Sequence, residues 1–174
     1  MRRNLIVLLS LCLLALTAFA GADASMRVSI EGKGSFTITL YTAKAPKTTA
    51  QIIKLAKGGF YDRQRFHIAI RSPRPYRVQV GDPSSKSGDL SGTGGSGSTV
   101  PYEENDLTNV AGMVGLSHDP NDKNSGDSQF YILLGSARFL DGSYTVFGKV
   151  TDGMDVVEKI EKGDRIEKVS VTEK

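Results

Sequence analysis

Ser117, His118 and Asp119 lie side by side in the stretch GLSHDP at 115–120, the three side-chain types of a hydrolytic triad. A working triad converges from distant segments, with its serine on a tight turn flanked by glycines. Here Asp119 stands where the second glycine would be, and neighbours on a strand point to opposite faces. The stretch DPNDKNSGD at 119–127 has the oxygen-rich composition of a calcium loop but fails its spacing. Counted from Asp119, Lys123 takes a ligand position and Asn124 the position that needs glycine; counted from Asp122, position twelve is Leu133 rather than glutamate. His67 and His118 lack the further ligand a metal site would need nearby, so no metal is expected. Gly92, Gly94 and Gly97 spell G-x-G-x-x-G, yet TVPYEEN follows them and is no helix start. Without a helix N-terminus the pyrophosphate has no seat. The run SSKSGDLSGTGGSGS at 84–98 reads as a flexible surface loop, and no cofactor is expected.

The elements that must position any site come next. The chain has 174 residues, enough for one domain with a real core. A net charge of +3, with basic residues dispersed, gives no footprint for nucleic acid. Residues 1–24 are different material. Arg2 and Arg3 precede an uncharged apolar run from Leu5 to Ala20, and two A-x-A patterns follow, at Ala18–Ala20 and Ala22–Ala24. That order is the pattern of a secretory signal peptide, and the run falls short of a comfortable membrane span. The expected mature protein, 25–174, is periplasmic or secreted, with no stable membrane association. It has no cysteine, because Cys12 lies in the leader.

RVSIEGKGSFTITLY reads as a hairpin around Gly32-Lys33-Gly34. APKTTAQIIKLAKGG reads as a helix with Pro46 in its first turn, one face of Ala45, Thr49, Ile52, Ile53 and Ala56, and Gly58-Gly59 ending it. Strands are expected at 65–70, 76–81, 110–116, 129–134 and 144–150, then a short helix in GMDVVEKIEKG with Met154, Val157 and Ile160 inward, and a last strand in RIEKVSVTE. Many short strands with two helices, and no alternating βαβ rhythm, point to a β-barrel or sandwich. The residues alone leave two classes open: a binding module, or an enzyme that makes and breaks no covalent bond.

The block NSGDSQFYILLGSARFLDGSYTVFGKVTDGMDVVEKI at 124–160 resembles the cyclophilin family of peptidyl-prolyl isomerases, as do APKTTAQIIKLAKGGFYD and the FH and Q-V-G-D-P pieces of 66–83. The resemblance covers almost all of the mature chain. It implies a mainly β fold, a closed eight-stranded antiparallel barrel capped by two helices, and a monomer binding proline-containing polypeptide segments. Rotation about the prolyl bond faces a barrier of about 18–20 kcal/mol owed to amide resonance. Lowering it takes a pocket for the ring and donors that favour the twisted amide.

The resemblance also implies a site. Gln79 and Gln129 match the family's groove glutamines, and Tyr131, Phe139 and Leu140 match the walls of its proline pocket. Phe139 stands where many members have Trp, and Tyr144 where many have His. Ser117 and His118 fall where an Ala-Asn pair presents backbone to the peptide. The family's strand reads F-H-R-[VI]-I, and its arginine is the main catalytic donor; this chain has Ile68 there. The next family element, P-G-F-M-x-Q-G-G-D, becomes RSPRPYRVQVGD, three residues longer, with Tyr76 and Arg77 at the Phe-Met pair. Arg77 shares a strand face with Gln79 at a spacing of two and is the expected substitute donor, ahead of Arg71 and Arg74. Two functions follow: an isomerase slowed by the loss at Ile68, or a prolyl-peptide-binding holdase without useful turnover.

Overall fold

The computed structural model describes residues 23–173. The segment expected to be a signal peptide, apart from Asp23 and Ala24, lies outside the described residues. Eight strands and two helices follow one another: β1 (Ala24–Ile30), β2 (Gly34–Leu40), α1 (Pro46–Lys57), β3 (Ile68–Ile70), β4 (Arg77–Val80), β5 (Met113–Leu116), β6 (Phe130–Leu133), β7 (Val146–Asp152), α2 (Met154–Val157) and β8 (Ile166–Thr172). Every expected strand is present, but β3, β4, β5 and β6 are shorter than expected.

The strands form one sheet in the order β3-β4-β6-β5-β7-β2-β1-β8, with antiparallel pairs throughout. No ladder joins β3 to β8. The two ends of the sheet meet through the segments just before those strands: Arg65 bridges Arg165, Arg63 N donates to Ile166 O, and Ile166 N donates to Gln64 O. The expected closed barrel is thus a curled sheet whose ends are stitched by short irregular segments rather than by a strand pair.

Alternation sorts the side chains into two clusters. Inward, Val78, Val80, Val114, Leu116, Phe130, Ile132 and Phe147 join β1, β2 and the helices in the main core. Outward, Met113, Tyr131, Leu133 and Val146 make a second cluster, roofed by Ala137 and Leu140. The five residues expected on the inner face of α1 are all buried. The first amides of α1 have no local cap. Glu103 supplies one from a distance, accepting from Lys47 N at 2.9 Å and Thr48 N at 2.8 Å.

α2 is one turn long. Val157 and Ile160 are buried as expected, while Met154 is only half-buried.

Candidate active site

The outer face of β4, β5 and β6 carries the site. Gln79 on β4 lies opposite Ile68 on β3 and opposite Tyr131 on β6. Its amide nitrogen donates to Gln129 Oε1 at 2.9 Å and to Ser117 Oγ at 3.1 Å. Gln79 is only 5% exposed, and its Oε1 has no hydrogen-bond partner. An acceptor buried without a donor is costly, so this oxygen is a weak point of the site's polar network.

Gln129 is committed elsewhere. Its Nε2 donates to Gly92 O and Gly94 O, both at 2.8 Å. The glycine run expected to be a flexible loop is instead docked. Asp82 accepts from Gly94 N at 3.1 Å, Asp127 from Gly97 N at 2.8 Å, and Gln51 donates to Ser98 O at 3.0 Å. Glycine is required for this approach: a Cβ on Gly94 would stand 2.3 Å from Asp82, and one on Gly92 2.6 Å from the His67 ring. Burial pushes the Asp82 carboxyl up, but hydrogen bonds from Ser84 and Gly94 outweigh it and hold the group below the usual range. His67 is buried beside it. Burial lowers its pKa, against the opposing pull of Asp82 and Gln129. Between this loop and residues 117–129 lies a cavity of about 500 Å³ with Gln79 and Gln129 in its lining.

Ser117 and His118 do not work together. Ser117 Oγ accepts from Gln79, whereas the His118 ring stacks on Tyr144 at 4.1 Å, its nitrogens 2.7 Å from Asp119 O and 2.9 Å from Ser143 O. With no Ser–His hydrogen bond, the triad reading fails. Asp119 and Asp122 accept from the backbone N–H two residues on, making polar turns of the calcium-like stretch. Among the described residues no three His, Cys, Asp or Glu side chains are grouped to hold a metal.

The expected apolar wall divides. Tyr131 is fully buried, its hydroxyl 2.9 Å from Asn109 Oδ1 and its ring packed edge-on to Tyr144. It lies so close to Gly115 that a Cβ there would be 2.2 Å from the phenol oxygen. Leu140 packs in the same cluster. Phe139 does not join them: the 3-10 turn Arg138–Leu140 turns Leu140 inward and Phe139 out, 74% exposed. Phe139 touches Tyr76 at 5.9 Å, and the two line a separate concavity of about 670 Å³ with Arg74 and Pro75. Of the expected wall, Tyr131 and Leu140 share one buried cluster, while Phe139 faces solvent and reaches that cluster through Tyr76, which packs against it.

The three arginines of the lengthened segment also separate. Arg71 donates to Ile160 O, away from the glutamines, and Arg74 is exposed beside Phe139. Arg77 alone lies on the site face, its guanidinium 5.3 Å from the Tyr76 ring centre and 5.9 Å from that of Tyr131. Its Nε is buried without an acceptor. Arg77 pairs with Ile70 while Gln79 pairs with Ile68. It is therefore the diagonal neighbour of Ile68, within reach for a long side chain.

The model of the cyclophilin type peptidyl-prolyl cis-trans isomerase/CLD family matches residues 25–174. The chain belongs to that family. Similar proteins include a probable peptidyl-prolyl cis-trans isomerase of Brucella suis, 37% identical over 90% of this chain and 82% of the relative. Another, from Synechococcus elongatus, is 36% identical over 80% of this chain and 90% of the relative. A crystal structure of a cyclophilin type isomerase from Cryptosporidium parvum superposes with a TM-score of 0.76 at 24% identity, covering 88% of this chain and 99% of that one. A second structure of that protein was determined in the presence of the dipeptide Ala-Pro. These likenesses confirm the cyclophilin fold.

Within this cyclophilin, sequence reasoning missed Asp82 and Asp127, which dock the glycine loop, and Gly115, which admits Tyr131. Both carboxylates follow a glycine in GDP and GDS, a turn signal that could have marked them as backbone acceptors.

Proposed function

We propose that the chain is a slow peptidyl-prolyl isomerase acting on X-Pro segments of exported proteins, working as a monomer in the periplasm or outside the cell. The observation that carries the reading is the pairing of Ile68 with Gln79. Where the resembled family has a guanidinium beside that glutamine, this chain has an aliphatic side chain that donates nothing. The acceptor and donor framework of Gln79, Gln129 and Ser117 remains, and Arg77, on the same face, has a buried Nε without a hydrogen-bond partner. To act, its guanidinium must turn off the Tyr76 and Tyr131 rings toward the amide of the bound segment. There it would stabilise the twisted amide by donation, with no proton transferred and no bond broken. That a Cryptosporidium structure was determined in the presence of the dipeptide Ala-Pro supports a prolyl ligand, and the barrel is read as closed through 63–66 and 163–166.

Export rests on the charged, apolar and small-residue order of residues 1–24. Ala24 is 2% exposed and pairs with Leu40. Cleavage after Ala20 keeps this residue in β1, whereas cleavage after Ala24 removes it, which supports a mature chain beginning at Gly21. Intact mass of the natively exported protein tests this; a mass starting at Ser25 would overturn it.

The holdase reading is favoured by one observation, the exposed Phe139–Tyr76 concavity, which can hold apolar segments without a donor. Arg77→Ala separates the two. For the isomerase, residual turnover on an Ala-Pro peptide falls at least about tenfold, the effect of one lost charged hydrogen bond, while peptide affinity changes little. If native turnover is undetectable and Arg77→Ala changes only affinity, the chain is a binder.

A further inference from the structure

At the seam where the ends of the sheet meet, four cations surround one concavity. Arg63, Arg65, Lys86 and Arg165, with Ser87, line a cavity of about 380 Å³ that shares no residue with either cavity of the prolyl site. Arg65 and Arg165 are directly opposed in an antiparallel bridge, and like charges placed so repel. Carboxylates are adjacent in the sequence but committed elsewhere. Asp62 pairs with Lys168 at 2.5 Å and accepts from Val169 N, and Asp164 pairs with Lys33 at 2.7 Å. Among the described residues, no carboxylate makes an ion pair with Arg63, Arg65 or Lys86, and Arg165 has only Glu31 at 3.7 Å.

The fold holds this repulsive arrangement in place. Arg65 is anchored by Nη1 donating to Gly163 O at 2.8 Å and by its own N–H to Ser85 Oγ at 3.0 Å. Arg63 has φ of 65°, the only left-handed non-glycine backbone among the described residues, and its N–H is tied to Ile166 O at 2.9 Å. Glycine would fit that conformation more easily; the position instead presents a guanidinium. Lys86 sits with its ammonium 5.9 Å from the Phe60 ring centre.

We propose that this cavity binds a phosphate group. A carboxylate offers two oxygens in one plane, whereas cations converging from three segments suit the several oxygens of a phosphate, to which arginine forks donate in pairs. The Ser87 hydroxyl supplies a further donor. The same group can arrive as soluble phosphate or as a phospholipid headgroup.

The test is a titration of inorganic phosphate into the full mature chain, followed by backbone amide NMR shifts, with chloride at matched ionic strength as control. Saturable shifts at residues 63–65, 86–87 and 165 are expected. Arg63→Gly and Arg165→Gln should each weaken binding about tenfold or more and leave Ala-Pro peptide binding unchanged. Because Arg63→Gly relieves a left-handed arginine, its thermal midpoint should rise, which separates lost binding from lost structure. Co-sedimentation with phosphatidic acid vesicles, but not with phosphatidylcholine alone, would assign the phosphate to a membrane; saturation by free phosphate without co-sedimentation would assign a soluble ligand. Shifts that match chloride, that fail to saturate, or that respond more strongly to an oligoglutamate peptide than to phosphate would overturn the proposal.

Discussion

The two flanks of the prolyl site are built on different principles. On the Gln129 side, the glycine loop is held by side chains from two segments, Asp82 on one and Asp127 and Gln129 on the other. On the β3–β4 side, Ile68 offers no hydrogen bond, Arg77 Nε has no acceptor, and Phe139 stands 74% exposed. One flank is a finished polar network; the other is an edge awaiting a partner. The contrast locates the change in chemistry. On the proposed reading, the scaffold that receives a peptide is intact, while Ile68 leaves the position that would drive rotation apolar.

The contrast can be broken from its rigid side first. Tyr131→Ala removes a fully buried aromatic ring and should cost about 3–5 kcal/mol in denaturant unfolding, a size only a packed wall produces. Asp82→Ala should cost about 1–3 kcal/mol, because it leaves the amides of Ser84 and Gly94 without an acceptor. Hydrogen exchange at Gly94 should accelerate before the rest of the sheet responds. Phe139→Ala sharpens the other side: stability should move by no more than about 0.5 kcal/mol, while affinity for a proline peptide falls.

The smallest effect is on pH dependence. The His67 pKa is lowered in the folded chain, so the unfolded chain takes its proton more readily. The stability involved is complete above the ordinary histidine value of about 6.5 and is lost as pH falls through the folded value. Asp82, also lowered, adds a loss at more acidic pH, starting near the ordinary aspartate value of about 3.9. The thermal midpoint should therefore decline between neutral and mildly acid pH, and His67→Gln should flatten that decline.

Much of the fold was legible because its signals are local. The Gly32–Gly34 turn, the inward stripe of α1 and the short apolar run from Phe130 to Leu133 each predict an element from a few neighbouring residues. What was hidden depends on partners far apart in sequence. The 84–98 run has the composition of a flexible linker, and only Asp82, Gln129 and Asp127 make it a docked wall. Phe139 and Leu140 both matched a pocket pattern, yet the 3-10 turn buries Leu140 and leaves Phe139 74% exposed, reaching the same cluster only through Tyr76. Gly115 carried no visible signal at all, since its role is to leave room for Tyr131 on the neighbouring strand. The family resemblance put Gln79 and Gln129 at one groove and marked Ile68 as a position without a donor, but the side-chain hydrogen bonds that join Gln79 to Ser117 and Gln129 were not foreseen.

The central claim is that turnover is limited by the missing donor on β3. Measuring kcat/KM for an Ala-Pro peptide by NMR exchange or a protease-coupled assay, on the native chain and on Ile68→Arg together, tests it most directly. One well-placed charged donor contributes about 2.7–4 kcal/mol to a transition state. The variant should therefore be faster by roughly a hundred- to a thousandfold, with peptide affinity little changed. A native chain that already isomerises as fast as Ile68→Arg would contradict the account.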